Sequence, residues 1–220
     1  KWKQFIFASI NPMISFNSLI KDMENRVGWM PIEQFVFSQS RSKEYIVNAN
    51  WALYCDNYLE GFHIPFVHKG LTQNLNYSEY DTELFPFSSL QVGVGKDNDI
   101  CFDLPEDSND YGKKIAAYYF WLFPNIMFNF YPWGLSINVV IPMEPEKTKV
   151  KFLSYIWDES KLNSGAGAEL DKVEKEDEEV VEQVQKGIKS RFYDRGKFSP
   201  SMETGVHHFH LLLSKFLKAK

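Results

Sequence analysis

Residues 123–145 read FPNIMFNFYPWGLSINVVIPMEP, and this stretch decides the fold class. Aromatic and β-branched side chains dominate it, which is typical of strands. Pro124-Asn125 and Pro132-Trp133-Gly134 interrupt the strand-like runs where turns are expected. The pattern predicts three consecutive strands joined by tight turns, which is an antiparallel meander.

Further strand-like and helix-like segments flank this stretch on both sides. Strands are predicted at Gln4–Ile10, Gln34–Ser40, Tyr45–Ala49, Phe87–Val94, Ile115–Phe123, Met127–Tyr131, Ser136–Ile141 and Val150–Trp157. Helices are predicted at Trp51–Phe62, Ala168–Lys189 and Glu203–Leu217. A block of strands followed by a long helix favours a single α+β domain, with helices on one face of an antiparallel sheet.

Charge and composition exclude several classes of partner. The chain has 220 residues and a formal net charge of -5, so it lacks the basic face that a nucleic-acid partner requires. It contains no run of about 18 apolar residues, which a membrane-spanning helix would need. Its two cysteines, Cys55 and Cys101, are too few for a disulfide framework and favour a cytoplasmic location.

The segment NWALYCDNYLEGFHIPFVHKGL carries the candidate chemistry. Asp56, Glu60 and His63 are spaced i, i+4 and i+7, so they would share one face of a helix. Pro65 disfavours helix at the residue before it, so we expect the helix to end near His63 and the chain to turn before His68. The two histidines would then face one point, although the spacing alone is also compatible with two unrelated, half-exposed histidines.

The long helix that follows places a carboxylate within an apolar stripe. The stripe consists of Val173, Val180, Val181, Val184 and Ile188, with Asp177 at the missing i+4 position. The neighbouring acidic side chains, Glu174, Glu176 and Glu178 among them, are expected to face solvent. A carboxylate on an apolar face is paired, protonated or bound to a metal, so Asp177 is either a paired helix residue or a third ligand. Two histidines and one carboxylate form the facial triad of Fe(II) oxygenases, and zinc accepts the same set.

Three blocks of the sequence carry a resemblance to a known family. They are the histidine segment, the meander FPNIMFNFYPWGLSINVVIPMEP and the C-terminal stretch EDEEVVEQVQKGIKSRFYDRGKFSPSMETGVHHFHLLL. Together they resemble the α subunit of Rieske-type non-haem iron oxygenases, the ring-hydroxylating dioxygenase family. Within it, the chain is most similar to the branch that includes choline monooxygenase.

The resemblance implies a fold, a metal and a reaction. The fold would be the helix grip of Bet v 1 and START domains, a curved antiparallel sheet around a long C-terminal helix. His63, His68 and Asp177 would bind one Fe(II), which activates O2 to hydroxylate an organic substrate. Glu60 matches the acidic residue that bridges electron transfer from a Rieske centre, and we expect Asp56 to contact a metal ligand without binding the metal.

The resemblance also implies parts that this chain does not itself supply. A Rieske [2Fe–2S] centre needs two cysteines and two histidines in paired motifs, and the sequence has no such pair of motifs. We therefore expect residues 1–220 to be one catalytic domain of a longer protein whose N-terminal Rieske domain lies outside this sequence. Electrons would come from NAD(P)H through a reductase or ferredoxin, and a homotrimer would bring a neighbouring Rieske centre to the iron.

The substrate is the least defined expectation. The choline monooxygenase branch suggests a quaternary ammonium compound, which aromatic faces recognise through cation–π contacts. The alternative is an aromatic ring, whose carboxylate, if present, would require a nearby Arg or Lys. The predicted pocket residues are Tyr119, Trp121, Phe128 and Phe130.

Two functions of other classes compete with the oxygenase. A helix-grip binding protein for an apolar ligand would have no redox chemistry, but an apolar residue would then be favoured in place of Asp177. A zinc hydrolase would use the same three ligands, but the sequence lacks the His-Glu-x-x-His motif that supplies a protease base.

Overall fold

The computed structural model describes residues 1–68, 81–96, 99–168 and 170–218. Its helices are α1 (Phe16–Val27), α2 (Trp51–Tyr58), α3 (Ile64–Val67), α4 (Leu170–Gly187) and α5 (Thr204–Lys218). Its strands are β1 (Val36–Val47), β2 (Asp81–Phe85), β3 (Ser88–Val94), β4 (Ile115–Leu122), β5 (Ile126–Tyr131), β6 (Gly134–Glu144) and β7 (Lys147–Ile156). None of the described helices is long and apolar enough to cross a membrane.

The seven described strands form one sheet in the order β1-β7-β6-β5-β4-β3-β2, and every neighbouring pair is antiparallel. The strands β4, β5 and β6 are consecutive in both sequence and sheet, which confirms the predicted meander. The turn into β6 requires glycine, because Gly134 has φ 146° and a Cβ there would lie 2.2 Å from the carbonyl oxygen of Tyr155.

Side chains alternate along each strand, so the sheet has two different faces. One face packs against α1 and the N-terminal residues, and its buried side chains include Tyr118, Phe120, Phe128 and Phe130. The opposite face packs against α2, α4 and α5, and its buried side chains include Trp121, Met127, Val150 and Phe152. We call the second one the helix face. This arrangement confirms the predicted α+β class and places the long helix α4 against the sheet.

Several predicted boundaries are wrong. Residues Gln4–Ile10 form no strand, and only an isolated bridge joins Trp2 to Phe5. The two strands predicted between residues 34 and 49 are one strand, β1, whose pairing with β7 shifts register between Ser38 and Lys43. Helix α1 and strand β2 were not predicted. The helix predicted to reach Phe62 ends four residues earlier.

A buried ion network attaches α1 to the sheet. Arg26 donates hydrogen bonds to both carboxylate oxygens of Asp110, at 2.6 and 3.0 Å, and to those of Glu83, at 2.8 and 3.2 Å. The Tyr118 hydroxyl donates to Asp110 at 2.9 Å. Asp110 is fully buried, so these bonds balance a charge that water does not reach.

Candidate metal centre and adjoining cavity

Two histidines bracket a single helical turn. Helix α2 ends at Tyr58, and α3 begins after a short loop, with His63 at its N-cap and His68 at its C-cap. Pro65 lies in the first turn of α3, where its missing N–H costs nothing. The prediction that the helix ends near His63 and that Pro65 disfavours helix before it is therefore wrong, because α2 ends at Tyr58 and Ile64 is the first residue of α3.

The two histidines meet one carboxylate from α4. The Nε2 atoms of His63 and His68 are 3.1 Å apart, and the Asp177 Oδ1 atom lies 2.9 Å from the His68 Nε2 atom and 3.3 Å from the His63 Nε2 atom. Among the described residues, these three form the group of His, Cys, Asp and Glu side chains whose geometry fits a metal ion. The three residues singled out in the sequence thus come together.

The spacing of these three atoms fits one divalent cation. Three bonds of about 2.1 Å at right angles hold their donor atoms about 3.0 Å apart, which is close to the observed triangle. An ion above that triangle would have its remaining positions open, as in a facial triad.

The proton positions on both imidazoles fit the same conclusion. The Nδ1 atom of His63 lies 2.6 Å from Glu60 Oε1, and that of His68 lies 2.8 Å from Glu176 Oε2. Carboxylates accept hydrogen bonds, so each Nδ1 donates, and in the neutral imidazole each Nε2 then carries a lone pair. Two such lone pairs beside the Asp177 carboxylate would bind either protons or a metal ion. Carboxylate–histidine pairs of this kind orient metal ligands.

The interactions within the triad favour a protonated His63 and a deprotonated Asp177. Burial by itself would lower the pKa of His63, but its bonds with Asp177 and Glu60 outweigh burial and raise that pKa to about 9. Likewise, burial raises and the two histidines lower the pKa of Asp177, and the net direction is down. In the absence of metal, protons compete for the same lone pairs, so metal binding would release protons.

Asn57 supports the carboxylate and was not identified from the sequence. Its Nδ2 atom donates to Asp177 Oδ1 at 2.7 Å, which fixes the carboxylate from the α2 side. Nothing in its sequence context distinguishes Asn57 from a surface asparagine, because its partner lies 120 residues away.

Helix α4 turns only part of the predicted stripe inward, since Val181 is buried in the core and Val173 lines a cavity beside the triad. Val184 is 43% exposed, while Glu174 and Gln185 are buried. The hydrophobic pattern predicts Glu174 and Glu176 on a face exposed to solvent, and both predictions are wrong. Glu176 contacts the His68 ring, and Glu174 is buried. Burial and the neighbouring carboxylate of Asp171 raise the pKa of Glu174 to about 9, against the opposing charge of Lys43.

A cavity of about 100 Å³ adjoins the triad on the helix face of the sheet. Its described lining residues are Tyr54, Asn57, Tyr58, Glu60, His63, Ile64, His68, Gln91, Tyr119, Asn129, Tyr131, Ser136, Asn138, Leu170, Val173, Glu174 and Asp177. The acidic members of this set are Glu60, Glu174 and Asp177, and it includes no Lys or Arg. Apart from the triad, the acidic side chains of the described lining are therefore those of Glu60 and Glu174.

The floor of the cavity is a polar row across the sheet. Gln91 pairs with Tyr119, Tyr119 with Asn129, and Asn129 with Ser136 in neighbouring strands. The Tyr58 hydroxyl lies 2.7 Å from Asn129 Oδ1, so α2 is hydrogen-bonded to this row. Sequence reasoning missed the row, although a single Asn within the apolar strand IMFNFY was an available signal.

Only one of the four predicted pocket aromatics lines the cavity. Tyr119 does so. Trp121 points to the same face but packs against Phe209 of α5, with ring centroids 5.3 Å apart. Phe128 and Phe130 project from the opposite face, where they belong to the core under α1. The prediction that Trp121, Phe128 and Phe130 line the pocket is therefore wrong. The alternation of side chains along a strand shows which residues share a face of the sheet, but not which face meets α4.

Glu60 lies between the cavity and an outer groove. Its Oε2 atom accepts the backbone N–H groups of Phe62 and His63, the latter at 3.1 Å, while Oε1 contacts the His63 ring. The groove lies between α2, α4 and α5, and Glu60 and His63 line it as well as the cavity. Glu60 thus joins the first histidine to a surface that another protein domain could contact.

Asp56 does not support a metal ligand as expected. It lies in the outer groove, where the His210 Nε2 atom is 2.9 Å from its Oδ1 atom. The helix ends before Glu60, so the predicted common face of Asp56, Glu60 and His63 is not formed. The hydrogen bond with Asp56 raises the pKa of His210.

Comparison with known sequences gives a consistent result. The profile of the family described as "Ring hydroxylating alpha subunit (catalytic domain)" matches residues 36–219. The chain is 38% identical over 183 residues to choline monooxygenase, chloroplastic, of Arabidopsis thaliana, covering 80% of this chain and 41% of that protein. It is 31% identical over 182 residues to the carnitine monooxygenase oxygenase subunit of Escherichia coli K12, covering 77% and 47% respectively. The chain thus spans less than half the length of these relatives.

Comparison with solved structures confirms the helix-grip fold. A quaternary ammonium Rieske monooxygenase, described in connection with carnitine oxidation by gut microbiota and inter-subunit electron transfer, superposes with a TM-score of 0.70. The match covers 92% of this chain and 57% of that one at 22% identity.

Proposed function

Because the chain belongs to the family of ring-hydroxylating oxygenase α subunits, through their catalytic domain, we propose that it is the iron-binding part of a terminal oxygenase. The observation that carries the proposal is the convergence of the two Nε2 atoms and one carboxylate oxygen within 3.3 Å of one another. The position and hydrogen bonding of these atoms fit a bound cation better than a structural ion pair.

His63, His68 and Asp177 would hold Fe(II). The bound iron would supply activation of O2 for hydroxylation of an organic substrate. The protein's own task is to keep three coordination positions filled and the others open. Glu60 and Glu176 keep the Nδ1 protons in place, and Asn57 holds the carboxylate, so the ligands are oriented before the metal binds.

The polar lining of the cavity argues against the two functions of other classes. A binding protein for an apolar ligand would not retain the polar floor and Glu174 beside its ligand. A zinc hydrolase would need a base that is free to activate water, and Glu60 does not fit that role, because it is already bonded to His63 and to two backbone N–H groups. In an iron oxygenase, by contrast, Glu60 would orient His63 through the hydrogen bond that it already makes.

Electrons would reach the iron through Glu60. We propose that they come from NAD(P)H by way of a reductase or ferredoxin and a Rieske [2Fe–2S] centre of a neighbouring subunit in a homotrimer. The position of Glu60 between His63 and the outer groove supports this route, as does the inter-subunit electron transfer reported for the structural neighbour. Cys55 and Cys101 lie in different parts of the apolar core, so they could not bind one iron–sulfur centre together. We propose that the [2Fe–2S] centre is bound by residues outside this sequence.

The substrate is a quaternary ammonium compound in this proposal. The described cavity lining offers carboxyl groups and tyrosine rings, which attract a cation, and it lacks the Lys or Arg that an aromatic acid would require. The named relatives act on choline and carnitine, both of which carry a trimethylammonium group. The cytoplasmic location stays a prediction, since the plant relatives are described as chloroplastic.

Metal analysis of single variants tests the proposal. After anaerobic Fe(II) loading, we expect His63→Ala, His68→Ala and Asp177→Ala each to lose most of the bound iron and to remain folded. Asp171→Ala is the matched control, because it removes an exposed carboxylate from the same helix. Full iron content in any of the three variants would remove that residue from the ligand set.

Electron delivery needs a separate test in the full-length protein. We expect Glu60→Gln to retain iron but to lose most NAD(P)H-driven turnover with the reductase present. Turnover near that of the wild type would exclude Glu60 as the bridge while leaving the metal site intact.

A further inference from the structure

Glu174 is buried in the cavity, and its carboxyl group has no partner among the residues that the structure describes. It is 9% exposed and lies one helical turn before Asp177 on α4. Within the described parts of the chain, its carboxyl group takes part in no hydrogen bond or ion pair. The nearby cation Lys43 is bonded to Asp171 instead. Leaving a buried carboxyl group unpartnered destabilises a protein, so this one requires an explanation.

Tyrosine rings surround the same space. Tyr54, Tyr58, Tyr119 and Tyr131 all line the cavity with Glu174. The rings of Tyr119 and Tyr131 are 5.9 Å apart and nearly perpendicular, at 78°. Burial raises the pKa values of Tyr54 and Tyr131, and nearby charges, that of Glu174 among them, act in the same direction. One acidic group among several aromatic faces has the chemistry of a site for an organic cation.

We propose that Glu174 is the counter-ion that selects a cationic substrate in this cavity. The proposal rests on the proposed function, because it takes the cavity beside the iron ligands as the substrate site. A trimethylammonium group donates no hydrogen bonds, so a carboxylate's charge and aromatic faces are what recognise it. Among the described residues Glu174 has no ionic partner, and the substrate's positive charge would supply one and favour loss of the carboxyl proton.

The position of Glu174 on α4 also fits the reaction. Residues at i and i+3 on a helix have Cβ atoms about 5–6 Å apart, so a cation at Glu174 would sit beside the iron and not on it. The substrate's carbon atoms near the nitrogen would then lie beside the three residues that would hold the iron. Glu174 is a specificity-determining residue in this arrangement, and Asp177 remains the metal ligand.

Binding to matched cationic and neutral compounds tests the assignment. Calorimetry on the iron-loaded, full-length protein would identify the tightest ligand among choline, L-carnitine and γ-butyrobetaine. A second titration would use the tert-butyl analogue of that ligand, in which an uncharged carbon atom replaces the quaternary nitrogen. We expect Glu174→Gln to weaken binding of the cation at least tenfold, about 1.4 kcal/mol, and to leave the neutral analogue nearly unaffected. Glu179→Gln, an exposed change on the same helix, should leave both affinities unchanged.

The outcomes separate this assignment from the proposed function. Unchanged affinity for the cation in Glu174→Gln would overturn the role of Glu174. An equal loss for the cation and the neutral analogue would also overturn it, because that result indicates a general disturbance of the cavity. If the wild type holds iron but binds none of the three cations, the counter-ion assignment fails while the iron site stands. If it holds no iron, the proposed function itself fails.

Discussion

Replacing Glu174 by Gln is expected to stabilise the substrate-free protein, and by an amount that grows with pH. The folded state raises the pKa of this carboxyl group from 4.5 to about 9, chiefly by burial. Between these two values, the folded protein keeps a proton that the unfolded chain releases. Stability therefore falls as pH rises from the unfolded pKa toward the folded pKa, and a glutamine side chain would not have this penalty.

The magnitude follows from the proton alone. Keeping a group of unfolded pKa 4.5 protonated costs about 0.8 kcal/mol at pH 5 and about 3.4 kcal/mol at pH 7. The difference in unfolding free energy between Glu174→Gln and the wild type should therefore increase by about 2–3 kcal/mol over this interval. A gain of this size is a large fraction of the stability of a typical domain.

Urea unfolding of the wild type and variant at several pH values from 5 to 8 would measure this difference. The matched control, Glu179→Gln, removes an equal charge from an exposed position on α4 and reports the general effect of that charge. A stability difference for Glu174→Gln that stays constant from pH 5 to 8 would refute the reasoning, because Glu174 would then be ionised in the folded protein. Saturating cation should reduce the variant's advantage, since the wild type alone gains the counter-ion contact.

Two further predictions concern ion pairs away from the cavity. We expect Arg26→Met to lower the unfolding free energy by about 2–3 kcal/mol, measured by urea unfolding, because it removes two hydrogen bonds to the buried carboxylate of Asp110, which keeps Lys113 and Tyr118 as its described partners; a loss below about 1 kcal/mol would contradict this. We expect Asp56→Asn to cost at most about 0.5–1 kcal/mol near pH 6, because His210 is 44% exposed. Since the hydrogen bond with Asp56 raises the pKa of His210, this loss should disappear as pH rises through that pKa, and a loss that persists at pH 9 would contradict the pairing.

The metal centre was predictable because its signals are local. His63 and His68 lie five residues apart on either side of a proline, and Asp177 interrupts an apolar helical pattern. Each signal survives errors in element boundaries, because it depends on residue type and short spacing. The resemblance to a family then joined two segments more than 100 residues apart, which neither pattern alone could do.

The residues that support and shape the site were missed for a physical reason. Hydrophobic periodicity assigns polar residues to solvent, so it placed Glu174 outside and made valines the inner stripe. An inward carboxyl group breaks that assumption, as expected where function opposes local stability. The same limit applies to Phe128 and Phe130, because strand alternation needs the position of α4 to tell one sheet face from the other.

The errors at the N-terminal side have a different origin. Gln4–Ile10 has strand-like residues, but a strand forms only where a partner strand is available. Here the segment is attached instead by the side-chain amide of Gln4, which donates to the carbonyl groups of Ile32 and Phe35. Helix α1 buries only three side chains, Ile20, Met23 and Val27, which is too weak a periodic signal in twelve residues. Its position depends on Arg26 and the distant Asp110, which no local pattern reports.

The single turn of α3 would couple metal binding at His63 and His68 to local order. A helix of four residues is unstable by itself, because its few hydrogen bonds do not offset the cost of nucleation. The amide groups of Phe66, Val67 and His68 donate to the carbonyl groups of His63 and Ile64, so they are protected only while both ends of the turn are held. An ion shared by the two histidines would hold both ends at once. The rate of amide hydrogen exchange at these three positions would therefore report iron occupancy. Exchange would be slow with the ion bound and fast without it.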